Sequence, residues 1–342
     1  MFKNLTKPFI IAEMSGNHNQ SLEQAMLIVE EAAKSGVDAL KIQTYTPDTM
    51  TIDSNREEFL IKDKNSLWKG ETLYSLYKKA YTPWDWDNKI FDKCAELEII
   101  GFSTPFDFSA VDFLENLNVP FYKIASFENY DLPLLKYVAK TKKPVIMSTG
   151  MIQLDELNES IYILKNNGCP EIVLLKCTST YPADPNDTNL LTITDLQKQF
   201  PECVIGLSDH TLGTAVSVAG IALGAMVIEK HFTFSRHDGG VDSAFSMEPD
   251  EMKKLVSEVN IAYKSLGKIF YGPTEDEIPS LIFRRSLYVV KDIKKGEQFT
   301  PQNIRSIRPA NGMSPKYYEN ILNKKALFDI SKGTPVKEDM IE

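Results

Sequence analysis

Two of the four histidines in this chain stand at the ends of consecutive apolar runs, His210 in "GLSDHTLG" and His231 in "VIEKHF". A lone histidine in such a place is most often solvated or satisfied in a core. A pair at neighbouring run ends, with Asp209, Glu229 and Asp242 close in sequence, has the donor types of a divalent metal site with open coordination positions. Two lysines are equally informative. Lys41 in "ALKIQ" and Lys123 in "FYKIAS" lie between apolar neighbours. A lysine at a strand end is usually solvated, but one flanked by apolar residues needs an anion or a carboxylate beside it. Hydroxyls end similar runs at Thr104, Ser126, Ser148 and Ser208. Lysines and hydroxyls converging on one place form a site for phosphate or carboxylate.

The elements that must position these residues follow from the pattern of apolar runs. "FIIAEM", "ALKIQT", "IIGFST", "FYKIAS", "PVIMST", "EIVLLKCT", "CVIGLSD" and "AMVIEKHF" read as eight strands. Amphipathic helical stretches separate them, among them "SLEQAMLIVEEAAKSG" with Ser21 as its N-cap. Eight such units in about 260 residues predict a (β/α)8 barrel; no GxGxxG follows any strand, which argues against an open dinucleotide-binding sheet. In a barrel the chemistry belongs at the C-terminal strand ends. Read in order, those ends carry Glu13, Lys41 with Gln43, Thr104, Lys123 with Ser126, Ser148, Lys176, Ser208 to His210, and Glu229 to His231. His18, in "GNHN" after the first run, is a further rim candidate. A metal beside an anion pocket suits metal-assisted aldol chemistry, phosphoenolpyruvate condensation or metal-dependent isomerisation, and spacing leaves all three open.

The connection 44–82 is too long for an ordinary loop and is rich in aromatics, which predicts an ordered insertion on the barrel's upper face, a lid or a dimer contact. Among the 342 residues, 1–282 carry 26 Lys and Arg against 40 Asp and Glu, whereas 283–342 carry 12 against 7. That break follows "YGPTEDEIPS" and sets a barrel domain at 1–270, a linker at 271–282 and a small β-rich domain at 283–342. In the last of these, "DIKKGEQFT" and "DISKGTPVK" repeat one turn pattern. The net charge of −9 argues against nucleic acid as a partner. No apolar run reaches the ~20 residues of a membrane span and no signal-peptide pattern opens the chain, so a cytoplasmic protein is expected. Four cysteines without CxxC spacing predict reduced thiols.

The segments "IAEMSGNHNQSLEQA", "ALKIQTYTPDTM", "FSTPFD", "YKIASFEN", "STGM", "CTSTYPA", "GLSDHT" and "EKHFT" resemble, in order, the sialic-acid-synthase family of phosphoenolpyruvate-dependent nonulosonic acid synthases. "RRSLYVVKDIKKGEQFTPQNIRSIRPANGMSP" is similar to their antifreeze-like (SAF) domain. Within the family, "LWKGETLYSLYKKAYTPWDW" and "SRHDGGVDSAFSMEP" look like the branch that makes pseudaminic acid. The chain has Lys176, Ser179 and "DGGVDSAFS" where N-acetylneuraminate-forming members tend to have other residues. Those departures fit an acceptor with an extra acetamido group and no terminal hydroxyl.

The resemblance implies roles. Lys41, Thr104, Lys123, Ser126, Ser179, Tyr181 and Ser208 would surround phosphoenolpyruvate, and His210 and His231 would hold Mn²⁺ or Mg²⁺. Glu13 would contact the sugar or assist water attack, Asp242 would sit near the metal and acceptor, and Glu128, in "YKIASFEN", would bind substrate. Arg308, in "IRPANGMSP", would reach the sugar from the SAF domain of a partner chain in a domain-swapped homodimer. N-acetylneuraminate and legionaminate synthases are the runner-up readings, and a 3-deoxy-heptulosonate-type synthase comes third. A non-catalytic sugar-binding protein would have no use for the histidine pair and the rim lysines together.

Overall fold

The computed structural model describes residues 1–62 and 68–342, so that residues 63–67, at the start of the aromatic insertion, lie outside the described residues. The eight expected runs form eight strands: β1 (Phe9–Glu13), β2 (Ala39–Thr44), β3 (Ile100–Pro105), β4 (Tyr122–Ile124), β5 (Val145–Ser148), β6 (Ile172–Cys177), β7 (Val204–Ser208) and β8 (Val227–His231). They close in sequence order into one parallel barrel, with β1 pairing both β2 and β8. Helices follow the strands, the first being Leu22–Lys34, whose N-cap Ser21 accepts a hydrogen bond from the Gln24 N–H at 3.2 Å.

Alternation along the strands sorts the side chains. Outward residues such as Ile10, Leu40, Ile42, Ile124, Met147 and Leu174 form the larger core with the helices. Inward residues fill the lower lumen: Phe9, Ile11, Ala39, Phe102, Phe121, Ile146, Val173, Leu175 and Val227, together with Phe2 from the N-terminal segment. The Phe2 ring packs edge-on to Phe121 with centroids 5.0 Å apart. Glu171 ties that segment down by accepting from the Met1 amino group at 2.8 Å and the Phe2 N–H at 2.9 Å. The lumen is therefore solid at its base, and each strand has only its upper end left to present polar groups.

The chain divides into two compact units, Met1–Gly267 and Lys268–Glu342. The second unit holds the antiparallel pair β9 (Ser286–Val289) and β10 (Ile304–Ile307). Its own core includes Leu287, Val289, Ile293, Phe299, Ile304, Ile330 and Val336. The two repeats face each other: Ile293 and Ile330 exchange both backbone hydrogen bonds at 2.8 Å. Asp292 accepts from the Lys332 N–H at 2.7 Å, and Asp329 accepts from the Lys295 N–H at 2.8 Å. The turn of one repeat thus caps the turn of the other, which ties this small module together more than its size would suggest. All four cysteines are free thiols. Among the described residues no helix is long and apolar enough to cross a membrane.

Candidate functional site

Above the apolar base, the inward residues turn polar at one level: Glu13, Lys41, Lys123, Ser148, Cys177, Ser208 and Glu229 line one cavity of about 920 Å³. The ionic groups there form a linked cluster. Lys41 Nζ lies 2.7 Å from Glu13 Oε2 and 3.9 Å from Glu229 Oε2, and Lys123 Nζ lies 3.6 Å from Glu229 Oε1. Lys41 also donates to Thr104 Oγ1 at 3.3 Å, and Lys123 to Ser148 Oγ at 2.7 Å. Ser208 donates to Glu229 Oε1 at 3.1 Å, while Glu229 Oε2 accepts no hydrogen bond. Burial works against Lys123 as a cation and lowers its pKa, with Glu229 pulling it back. Burial raises Glu13 despite the Lys41 ammonium beside it. Lys41 is held closely by Glu13, whereas Lys123 has only the looser Glu229 contact, which leaves room for an anion to complete its neutralisation.

The hydroxyls converge next to this cluster. A Cβ built on Gly150 would come within 2.2 Å of Ser179 Oγ and 2.6 Å of Ser126 Oγ, so only glycine lets both serines meet there. The Gly150 N–H donates to Ser126 Oγ at 3.2 Å. Glu128 also lines the cavity; burial pushes its carboxyl up to about 7, with Lys123 opposing, and its Oε2 has no hydrogen-bond partner.

The histidines stand at the tips of β7 and β8 with ring centroids 5.3 Å apart, and Tyr181 packs 4.4 Å from the His210 ring. His210 Nδ1 lies 2.8 Å from the Thr178 carbonyl oxygen, which keeps a proton on Nδ1, so that in the neutral ring Nε2 carries the lone pair. His231 is buried among cations, which lowers its pKa well below the ordinary value and keeps it neutral; its Nδ1 has no hydrogen-bond partner. Among the described residues no group of three His, Cys, Asp or Glu side chains is gathered as a metal cluster. The donor set suits a cation held by two neutral imidazoles, its other positions left to water and substrate. Asp242 borders the cavity and accepts a short hydrogen bond from Ser15 Oγ, and Gln43 bridges Glu13 Oε1 at 2.8 Å and Ser15 at 3.1 Å.

Other expected residues lie elsewhere. Thr104 is buried under Lys41 and does not border the cavity. Lys176 faces outward, donating to the Cys177 carbonyl at 3.0 Å and to Thr178 Oγ1 at 3.1 Å, so Cys177 and not Lys176 is the inward residue of β6. Lys230 also points away and pairs with Asp209 at 3.0 Å; Asp209 further accepts from Thr211 and Ser217 and is fully engaged. His18 is buried beside Thr82 at 3.2 Å and does not border the cavity. Arg308 follows β10 in the second unit and is exposed. The shared counter-ion role of Glu229 was not visible in the sequence; its only signal was two apolar-flanked lysines in need of a carboxylate.

A parallel barrel whose ionic groups and histidine pair gather at the C-terminal strand ends has the architecture of a barrel enzyme. Residues 28–271 match the NeuB family and residues 284–342 the SAF domain. The chain is 44% identical over 337 residues to a pseudaminic acid synthase of Campylobacter jejuni subsp. jejuni, covering 98% of this chain and 97% of that protein. It is 36% identical to an N,N'-diacetyllegionaminic acid synthase of the same subspecies, covering 98% of this chain and 100% of that one. A solved N-acetylneuraminic acid synthetase of Leptospira borgpetersenii serovar Hardjo-bovis, in complex with citrate, superposes with a TM-score of 0.71 at 31% identity, covering 81% of this chain and 90% of that chain. The chain belongs to the NeuB family and ends in a SAF domain. It is an enzyme of the transferase type, like the synthases it is similar to.

Proposed function

We propose that this enzyme condenses phosphoenolpyruvate with 2,4-diacetamido-2,4,6-trideoxy-altrose and water, giving pseudaminic acid and phosphate. The observation that carries the reading is the pair Lys41 and Lys123, shared by Glu229 beneath two rim histidines. The identity of 44% to a pseudaminic acid synthase supports the choice of acceptor. A synthase for N,N'-diacetyllegionaminic acid, favoured by the 36% relative, is the second reading.

In the reaction the C2–C3 π pair of phosphoenolpyruvate forms a bond from C3 to the sugar's aldehyde carbon, and the carbonyl pair moves to its oxygen, which takes a proton. Water adds at the oxocarbenium-like C2 and loses a proton; the C2–O bond to phosphate then breaks as the new C2 hydroxyl gives its proton to the departing phosphate and C2 becomes a ketone. A divalent Mn or Mg ion held by His210 and His231 would supply Lewis-acid polarisation of the acceptor carbonyl. Lys41 and Lys123 hold the carboxylate and phosphate in fixed positions, a preorganised field that also stabilises the departing phosphate. Ser126, Ser179 and Ser208 orient the same anion through hydrogen bonds. Glu13, raised by burial, takes the proton of the attacking water while Lys41 and Gln43 hold its carboxyl in place. Asp242, held by Ser15, and Glu128 border the acceptor.

The reading includes a cytoplasmic homodimer in which the SAF domain of one chain brings Arg308 to the acceptor of its partner. Exposed Tyr271, Ile278 and Ile282 in the joining segment support a covering chain. Phosphate release with Mn²⁺ tests the whole proposal, using the altrose sugar, its mannose-configured isomer and N-acetylmannosamine in parallel. Release with the altrose sugar alone is expected. Preference for another sugar would replace the acceptor and keep the condensation; silence with all three would overturn the reaction.

A further inference from the structure

The connection after β2 places an apolar face where a core would normally be. Its helix Leu73–Ala80 repeats Leu73, Leu76, Tyr77 and Ala80 at i, i+3, i+4 and i+7, the spacing of a stripe that packs against other apolar groups. All four border the site cavity, joined by Met50 and Ile61 from the same connection, and of these only Leu76 is buried. The charges of the segment turn elsewhere: Lys79 pairs with Glu71 at 2.7 Å and Lys62 with Glu57 at 2.9 Å. Among the described residues, the connection contributes no charged side chain to the cavity lining. The strand tips, in contrast, contribute the ions.

This wall is held firmly. The Tyr45 ring packs edge-on to Tyr77 at 5.8 Å and to Phe106 at 5.2 Å. Gln20 donates to the Lys79 carbonyl at 3.2 Å, and His18 shares a hydrogen bond with Thr82 at 3.2 Å, so the first strand's loop anchors the far end of the helix. A fixed apolar face left uncovered beside an ionic floor is stabilised by a ligand that is anionic or polar at one end and apolar at the other.

We propose that this wall is the specificity-determining subsite for the acceptor, taking its methyl groups, the C6 methyl and an acetamido methyl, in place of a hydroxyl. The inference rests on the condensation proposed above and names which part of the protein reads the acceptor. A site of this kind discriminates a methyl from a hydroxymethyl group through the cost of leaving the hydroxyl unpaired against Leu73 and Ile61.

The test compares two acceptors that differ only in a methyl or a hydroxymethyl group at C6, in wild-type protein and in Leu73→Asn, Ile61→Asn and Leu73→Met. The wild type is expected to favour the methyl sugar by roughly 10- to 100-fold in kcat/KM. Leu73→Asn or Ile61→Asn should cut that ratio at least about tenfold through the acceptor KM, with the KM for phosphoenolpyruvate held. Leu73→Met should keep the ratio. An unchanged ratio in both asparagine variants, or equal losses with both sugars, would overturn the subsite. A binding titration of the same two sugars to the full chain separates this from the reaction itself. Preferential binding of the methyl sugar without phosphate release would keep the subsite and sink the condensation; equal binding of both would sink the subsite.

Discussion

Glu229 reaches both lysines of the site yet grips neither: its Oε1 is 3.6 Å from Lys123 Nζ and its Oε2 is 3.9 Å from Lys41 Nζ. Replacing one partner of a buried charge cluster costs on the order of 3–5 kcal/mol, and here Lys123 loses its carboxylate partner while Lys41 keeps Glu13 at 2.7 Å. Glu229→Gln should therefore lower the melting temperature in the absence of ligand. Added phosphate or phosphoenolpyruvate should stabilise this variant more than it stabilises the wild type, since the anion then supplies the missing charge. Thermal melts with and without either anion check this; an equal gain in both proteins would refute the counter-ion role.

Gly16 separates two walls of the cavity. A Cβ there would stand 2.3 Å from Val241 Cγ2 and 3.1 Å from the Ala80 backbone. Gly16→Ala should push apart the loop after β8 and the helix of the insertion, moving Asp242 and Tyr77. We expect acceptor kcat/KM to fall by roughly 10- to 100-fold, as small misplacements of a site do, with anion binding at Lys41 and Lys123 preserved. Steady-state kinetics with each substrate varied in turn would measure it.

Burial pushes Asp87 up to about 8; Thr44 Oγ1 donates to its Oδ2 at 2.7 Å, and its Oδ1 has no partner. The unfolded chain releases this proton near the ordinary carboxyl value of about 4, so the folded state binds more protons between roughly pH 4 and pH 8. Stability from this group is thus full in acid, declines as pH rises across that window and levels off above it. Asp87→Asn should flatten that slope and leave the variant more stable than the wild type near pH 8. Chemical denaturation across the range would show whether the slope disappears.

If His210 and His231 hold a divalent ion, chelation should abolish phosphate release and Mn²⁺ should restore it. Burial alone would depress His210, but its contacts with Cys177 and the Thr178 carbonyl hold its pKa above the ordinary value, whereas His231 stays neutral. A proton competes with the metal for an imidazole, so apparent metal affinity should weaken as pH falls, with His210 governing the loss. His210→Ala should lose metal-dependent turnover. Full activity of that variant in chelator would remove the metal from the mechanism.

The sequence alone carried the architecture, because eight short β-rich runs separated by amphipathic helices have few closed solutions other than the barrel that formed. It also identified Lys41, Lys123, His210 and His231, since an ionisable residue at the end of an apolar run conflicts with burial unless something pairs with it. It could not assign faces. Barrel strands are apolar on both sides, outward to the helices and inward to the lumen, so "EKH" and "LLKC" show no alternation from which to tell that Glu229, His231 and Cys177 look inward while Lys230 and Lys176 look out. Nor could it find the counter-ion. Glu229 meets Lys41 and Lys123 across a lumen closed by strands far apart in the chain, and the same closure brings Gly16 against Val241 and turns the stripe of Leu73 and Tyr77 toward a cavity. Local pattern dictates which residues cannot be solvated; only the closing of the barrel decides which partners they meet.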